Sequence, residues 1–428
     1  MTLIKKTLQF IILSVLVMGI ALVTLYVYRK SRAYNQYVHR DSHAVVSIAL
    51  DDLLLDNIDQ LFERRTLATA NQKSPLSVVK NWLEAGVSIP AQIHFFSLRE
   101  NPLTFYTIQR IENIGKWEAF LQEYAADYIQ TVDSSERLTL VQSPSLPTIL
   151  SNEHYALFRI GLPEKDSEEK MKAIWSIEND WVYVRNLPLL STEKTNTHIT
   201  YRDIDGKSQL LANLSKNHIT LAGEWEFNAE HPSSGQVRKL KRDADLFFLF
   251  WSTLSLEQMP TFTKYISVLS DIEETILKDN SYGYTDLVIR NRTTTQKDTI
   301  VVYDYDEDFN SIEKKEVQET SVPVIESVWK GNVPLASLLP DKVFYKLNKT
   351  HTDTVILLST DKRGEFPPTF VATAIPFHIQ VDFSNTPDSW NGQIFTWLHQ
   401  RAVRVNIETS LKDNKTLKIN GDIYYKEK

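Results

Sequence analysis

The residues whose spacing most invites chemistry are the alternating acids of Asp304-Tyr-Asp-Glu-Asp308, which resemble the opening of a calcium loop. That loop needs glycine at its sixth position for a sharp turn and a bidentate glutamate at its twelfth. Here those positions hold Phe309 and Lys315, so the segment reads as a strand end entering a turn, with solvated acids. Gly206-Lys207-Ser208 echoes the end of a phosphate loop. Its upstream glycine position is Tyr201, and Asp203 and Asp205 inside the cradle would repel a phosphate, so the expectation is a turn entering a helix over Gln209–Leu214. The ten histidines are scattered. None has the H-E-x-x-H spacing of a zinc hydrolase, and no G-x-S-x-G elbow is present. His351 and Asp353 read as a solvent-facing pair in a polar loop. His378, opposite Phe377 and Ile379 in an alternating run, reads as an exposed strand residue. No catalytic, cofactor-binding or metal-ligating residue is assigned.

Composition narrows the classes further. With no cysteine, disulfides, thiolate metal sites and thiol nucleophiles are all excluded. A net charge of −7 argues against a nucleic-acid surface. The hydrophobic share of 42% and aromatic share of 11% suffice for real cores. Arg238-Lys-Leu-Lys-Arg242 is read as a solvated hinge, with anionic lipid headgroups as the other possible contact. Trp82, Trp117 and Trp175 have apolar helical neighbours and are expected in cores. Trp390 and Trp397, near Pro387, Asn391 and Gly392, fit either a core or a surface groove.

The longest apolar run is Leu8–Tyr28, uncharged and flanked by Lys5, Lys6, Arg29 and Lys30. As a helix it would extend about 31 Å, enough for a bilayer core. It is read as an N-terminal transmembrane signal anchor (1–30), the protein's contact with a membrane through residues 8–28. A signal peptide cleaved after Ala21 is the alternative. Bases on both sides leave the orientation open, and on their own they mildly oppose export. The short polar head favours a large extracytoplasmic domain on a single-pass protein of the cytoplasmic (inner) membrane.

Beyond a spacer (31–40), the sequence reads as duplicated. Ile219–Phe227 aligns with Leu417–Tyr425, both alternating strictly, with Gly223 and Gly421 in the same inward slot. Asp41–Leu50 parallels Asp243–Ser252, each leading into an apolar-periodic helix. Strand pairs follow, Ala91–Leu98 with Leu103–Ile111 and Thr285–Arg290 with Thr299–Tyr305. Tyr155–Ile160 then resembles Val343–Leu347. Lys116–Tyr128 forms an amphipathic helix whose counterpart, Asp308–Glu319, is charged and expected to be short or displaced. The expected fold is α+β: an N-terminal transmembrane helix, then lobe 1 (41–228), a linker (229–242) and lobe 2 (243–428), with mainly antiparallel sheets and packed helices.

Asp41–Leu50, Asp243–Ser252, Ile219–Phe227 and Leu417–Tyr425 together resemble a loose class of uncharacterised bacterial envelope-anchored proteins with two similar α+β lobes. The resemblance implies location and architecture and no activity; the chain departs from lipoprotein members by lacking cysteine. The function expected is a membrane-tethered, non-enzymatic cell-envelope protein binding a protein or envelope component, or scaffolding. An enzyme acting on envelope polymers through carboxylates from separate loops, and a cytosol-facing tethered adaptor, are the alternatives. No nucleic acid and no cofactor are expected.

Overall fold

The computed structural model describes residues 21, 23–56, 84–135, 137–143, 146–161, 166–176, 180–187, 197–226, 237–241, 243–305, 311–362, 370–390 and 392–426. Two compact units divide the chain, Met1–Lys216 and Asn217–Lys428.

In unit 1, a helix α1 over residues 23–33 precedes β1 (Tyr37–His39), β2 (Ser42–Ala49), α2 (Leu50–Asp56), β3 (Gln92–Leu98) and β4 (Asn101–Arg110). Then come α3 (Ile114–Ala125), β5 (Ile129–Asp133), β6 (Leu138–Val141), β7 (Thr148–Ser151), β8 (Tyr155–Ile160), α4 (Ser167–Ser176), β9 (Trp181–Tyr183), β10 (Ile199–Asp203) and β11 (Ser208–Ser215). Register orders the sheet β11-β10-β2-β3-β4-β8-β7-β6-β5, every neighbour antiparallel. β1 and β9 pair separately as a short ribbon. One core contains Val45, Phe96, Tyr106 and Leu157 of the sheet with Val38 of the ribbon and Met171 and Trp175 of α4. Another contains the α3 stripe of Trp117, Phe120 and Leu121 with Val141, Ile149 and Phe158. Asn113 starts α3 by accepting the Lys116 N–H on its side chain, as an N-cap should.

Unit 2 comprises β12 (His218–Glu226), β13 (Arg238–Lys241), β14 (Leu246–Ser252), α5 (Pro260–Ser270), α6 (Glu274–Asn280), β15 (Ser281–Tyr305) and β16 (Ser311–Gly331). It continues with α7 (Val333–Leu338), β17 (Asn348–His351), β18 (Val355–Ser359), β19 (Phe370–Thr373), β20 (Phe377–Asp382), α8 (Gln393–Gln400), β21 (Arg404–Leu411) and β22 (Thr416–Tyr424). Its sheet runs β12-β22-β21-β20-β14-β15-β16-β18-β17, again antiparallel throughout. β13 and β19 form a ribbon that corresponds in chain order to β1 and β9. The order β21-β20-β14-β15-β16-β18-β17 repeats the unit 1 order β11-β10-β2-β3-β4-β8-β7. In β12 and β22, Leu221 faces Gly421 and Gly223 faces Ile419. A Cβ on Gly421 would stand 3.1 Å from Ile407 and 3.3 Å from Leu221, so glycine there admits both neighbouring strands.

Several expectations are corrected. The α+β fold with a transmembrane helix gives way to a sheet-dominated one, 49% strand against 25% helix among the described residues. Among the described residues no helix is long and apolar enough to cross a membrane. Of the proposed anchor Leu8–Tyr28, residues 8–20 and 22 lie outside the described residues. The rest belongs to α1, whose polar end docks on the first turn of α2. Arg29 pairs with Asp51 at 2.9 Å, Lys30 with Asp52 at 2.9 Å, and the Tyr26 hydroxyl donates to Asp52. Two acids at the N-terminus of α2 and cations on α1 supply the attraction. Tyr26 is thus part of the folded unit rather than of a membrane span.

Gln209–Leu214 is not a helix but lies in β11, because pairing with β10 outweighs local preference. Thr285–Arg290 and Thr299–Tyr305 are one strand, β15; of the helix expected over Asp308–Glu319, residues 308–310 lie outside the described residues and the rest belongs to its partner β16. By chain order and pairing, β18 rather than Val343–Leu347 answers to β8. The strand Ile219–Phe227, assigned to lobe 1, pairs with β22, which puts β12 in unit 2. The linker 229–242 also contains β13, whose Leu240 is 1% exposed.

Candidate functional site

Alternation in two strands decides what each face of the unit 2 sheet presents. On β15, Asp286, Val288 and Arg290 are buried on the face that holds the β13–β19 ribbon core, while Leu287 and Ile289 point to the opposite face. On β16, Val324, Glu326 and Val328 alternate in the same way with Ile325, Ser327 and Trp329. β18 adds Leu358 to the second face. In unit 1 the helix after β4, α3, has 12 residues, but its counterpart after β16, α7, has only six. The cause is local. Asn332 caps α7 and Pro334 opens it, but Pro340 disfavours helical backbone at Leu339, whose ψ is 139°.

The face beyond α7 opens into a cavity of about 890 Å³. Its floor is Leu287, Ile289, Ile325, Trp329 and Leu358. Its walls are Ile266 and Leu269 of α5, the residues Val343, Phe344, Tyr345 and Leu347, and Trp390 with Phe395. Leu269 and Phe344 line it and yet are 57% and 77% exposed, so they mark its mouth. Phe344 lies inside a tight loop closed by an antiparallel bridge between Lys342 and Lys346. Gln296 of β15 fastens that loop through its side-chain amide, which donates to the Lys346 carbonyl at 2.8 Å and accepts the Lys346 N–H at 3.0 Å. The Trp390 indole N–H donates to the Tyr345 hydroxyl at 3.0 Å, joining two walls.

Three hydroxyls of the lining are turned to their own neighbours. Ser270 donates to the Ile266 carbonyl. Ser327 donates to the Asp286 carbonyl and accepts from the Trp329 indole. Thr360 donates to the Pro323 carbonyl and accepts the Ile325 N–H. Among the described residues, no carboxylate, imidazole or ammonium lines the cavity. The arrangement suits taking up an apolar molecule and offers no general acid or base.

Elsewhere the fold assembles chemistry-bearing groups that local sequence did not reveal. Asp243, Asp245 and Glu326 converge on Arg290 at 2.5, 3.1 and 3.1 Å, with Arg290 and Glu326 3% and 2% exposed. These carboxylates come from separate segments, as an acid-pair enzyme would require, but all three are tied up by one buried guanidinium. Ser47 and His94 share a 2.8 Å hydrogen bond across β2 and β3, yet both are buried and no substrate reaches them. Burial lowers the His94 pKa from its ordinary value to about 3, so its imidazole is neutral. Among the described residues, no group of three or more His, Asp or Glu is arranged to hold a metal ion.

The residues singled out in the sequence fall as follows. Asp304 and Tyr305 are the last two residues of β15, and residues 306–308 lie outside the described residues. Gly206 takes φ +74° in the turn between β10 and β11, a left-handed conformation suited to glycine, and Asp203 accepts the Lys207 N–H there. His351 is exposed in β17. His378, expected to be exposed, is 1% exposed because β20 is a central strand whose two faces are both covered. Arg238, expected in a solvated hinge, pairs with Asp286 at 2.6 Å and lies 3.4 Å from the Tyr284 ring centre. Trp117 and Trp175 are core residues, Trp82 lies outside the described residues, Trp390 lines the cavity and Trp397 is 52% exposed. No protein-family profile, curated protein or solved structure matches the chain.

Proposed function

We propose that residues 217–428 are a non-enzymatic binding module that takes up a small apolar ligand in the cavity over β15, β16 and β18. The observation that carries this reading is the apolar sheet face left open where α7 stops after six residues. A volume of about 890 Å³ lies within the range of natural ligand sites, roughly 300–1,000 Å³. The shared strand order of the two units supports reading the chain as a duplication. In that reading, one copy keeps a long helix over its sheet and the other has exchanged that cover for a site.

The test is a titration of the full chain with N-phenyl-1-naphthylamine, a neutral fluorophore that brightens in apolar surroundings. Saturable binding of one equivalent is expected, lost in Ile325→Trp, which fills the floor, while circular dichroism and the melting temperature stay near those of the parent. Non-saturable binding, or binding that Ile325→Trp leaves intact, overturns the proposal.

A further inference from the structure

The cavity's lining says little about a polar group, but its mouth carries charge. Lys342 and Lys346 are brought side by side by the backbone bridge that closes the Phe344 loop. Both reach the same carboxylate, Asp298 of β15, at 3.0 and 3.2 Å. Hydrogen bonding to Lys342, then to Lys346, holds the Asp298 carboxyl below its ordinary range, so it is ionised at neutral pH. Two ammonium groups against one carboxylate leave one positive charge beside the exposed ring of Phe344. The next cation along the loop, Lys349, does not add to it, because Asp341 compensates it at 2.9 Å and the Ala336 and Leu339 carbonyls accept from it. Lys342 and Lys346 are 56% and 50% exposed, so a ligand's end can approach them from solvent.

Resting on the reading of the cavity as a ligand site, we infer that its ligand is a single-chain anionic amphiphile of the fatty-acid type. The hydrocarbon lies on Leu287, Ile289, Ile325 and Leu358, and the head group stays at the mouth against the Lys342–Lys346 pair. Two features favour this class over a compact polar molecule. The hydroxyls of Ser270, Ser327 and Thr360 over the sheet are already engaged with the protein's own carbonyls, and the other lining hydroxyls, Tyr345 and Ser389, carry no charge to pair with an ionised head group. The uncompensated charge lies where the apolar lining meets water, the place an amphiphile's ionised end must occupy.

The discriminating experiment measures palmitate and hexadecanol, equal in chain and different in charge, by displacement of N-phenyl-1-naphthylamine from the full-length protein. Both should compete, palmitate about two- to fivefold more strongly at low salt, as one exposed ionic contact allows, with the advantage fading in high salt. Lys342→Gln/Lys346→Gln removes both cations and leaves the Asp298 carboxylate, so it should bring palmitate to the level of hexadecanol or below it and leave hexadecanol unchanged. Equal competition by the two in the parent protein, or a double variant that weakens both alike, overturns the head-group assignment while the cavity reading stands. Failure of both to displace a probe that does bind at the cavity refutes the amphiphile class. Failure of the probe itself to bind refutes the site.

Discussion

Replacing Asp286 with asparagine tests the electrostatics of unit 2 most directly. Arg238 and Asp286 make a two-point contact at 3.1 and 2.6 Å, and their side chains are only 14% and 6% exposed. Arg238 also donates to the Ser252 carbonyl, and its guanidinium lies over Tyr284 and within 5.0 Å of the Trp251 ring centre. Asp286→Asn preserves shape but leaves a buried cation without its counter-ion, which costs about 3–5 kcal/mol in comparable pairs. For a unit of this size each kcal/mol moves the midpoint by roughly 2–4 °C, so a fall of about 6–20 °C is expected. Heat unfolding of the full chain, followed by hydrogen exchange on peptides from β13 to β15, assigns the loss to unit 2. Arg238→Met should cost a similar amount, and the double variant Arg238→Met/Asp286→Leu should recover most of it, since an apolar pair of similar volume avoids desolvating two charges. A loss below about 1 kcal/mol for Asp286→Asn, the size of a solvated surface pair, would refute the reasoning. So would a double variant as unstable as the sum of the singles.

Three further expectations follow from the same geometry. Burial lowers the His94 pKa to about 3 against about 6.5 in an unfolded chain. The unfolded state therefore binds an extra proton between those values; stability, full above pH 6.5, should fall toward pH 3 by up to about 1.4 kcal/mol per pH unit, and His94→Gln should flatten urea midpoints measured across that window. Asp51→Ala/Asp52→Ala removes the partners of Arg29, Lys30 and Tyr26; trypsin should then cut at Arg29–Arg32 several times faster with the melting temperature nearly unchanged, and an unaltered cleavage rate would show that α1 is held by other contacts. Gln296→Ala deletes the amide pair that fastens the Lys342–Lys346 loop, so amides 343–347 should exchange faster and probe affinity in the cavity should drop a few-fold; unchanged exchange would mean that the salt links to Asp298 suffice.

What the sequence reveals follows from how locally each feature is determined. The α3 stripe of Trp117, Phe120 and Leu121 repeats at helical spacing, and β12 and β22 alternate cleanly because one face of each packs and the other meets water. The long β15–β16 ribbon hides because residues 313–321 of β16 are exposed on both faces and so show no alternation, and the polar threonine run of β15 resembles a loop. Arg238 hides for another reason. A dense basic run reads as solvated, and the groups that bury it, Asp286 and Tyr284, come from a strand more than forty residues on. His378 looked exposed because alternation gives the face of a residue, not whether a second layer covers that face. The cavity is legible only in part. Pro340 announces an early helix end, but that the end uncovers Ile289 and Leu358 depends on pairings across unit 2.

The pairing of β12 with β22 has a consequence for how the chain can vary. With Gly223 matched to Gly421, the register is one that two identical strands adopt across a twofold axis. Identical strands in separate molecules must remain complementary to themselves, because every substitution appears twice. Two near-copies in one polypeptide escape that restriction, and the corresponding rungs have already diverged. Glu224 faces Lys418 as an opposite-charge rung, whereas at the matching place Asp422 faces Thr220, with His218 accompanying the acid at 2.7 Å. In the duplication reading, joining the strands in one chain turns a contact that a symmetric pair could change only twice over into one whose two halves are free to specialise.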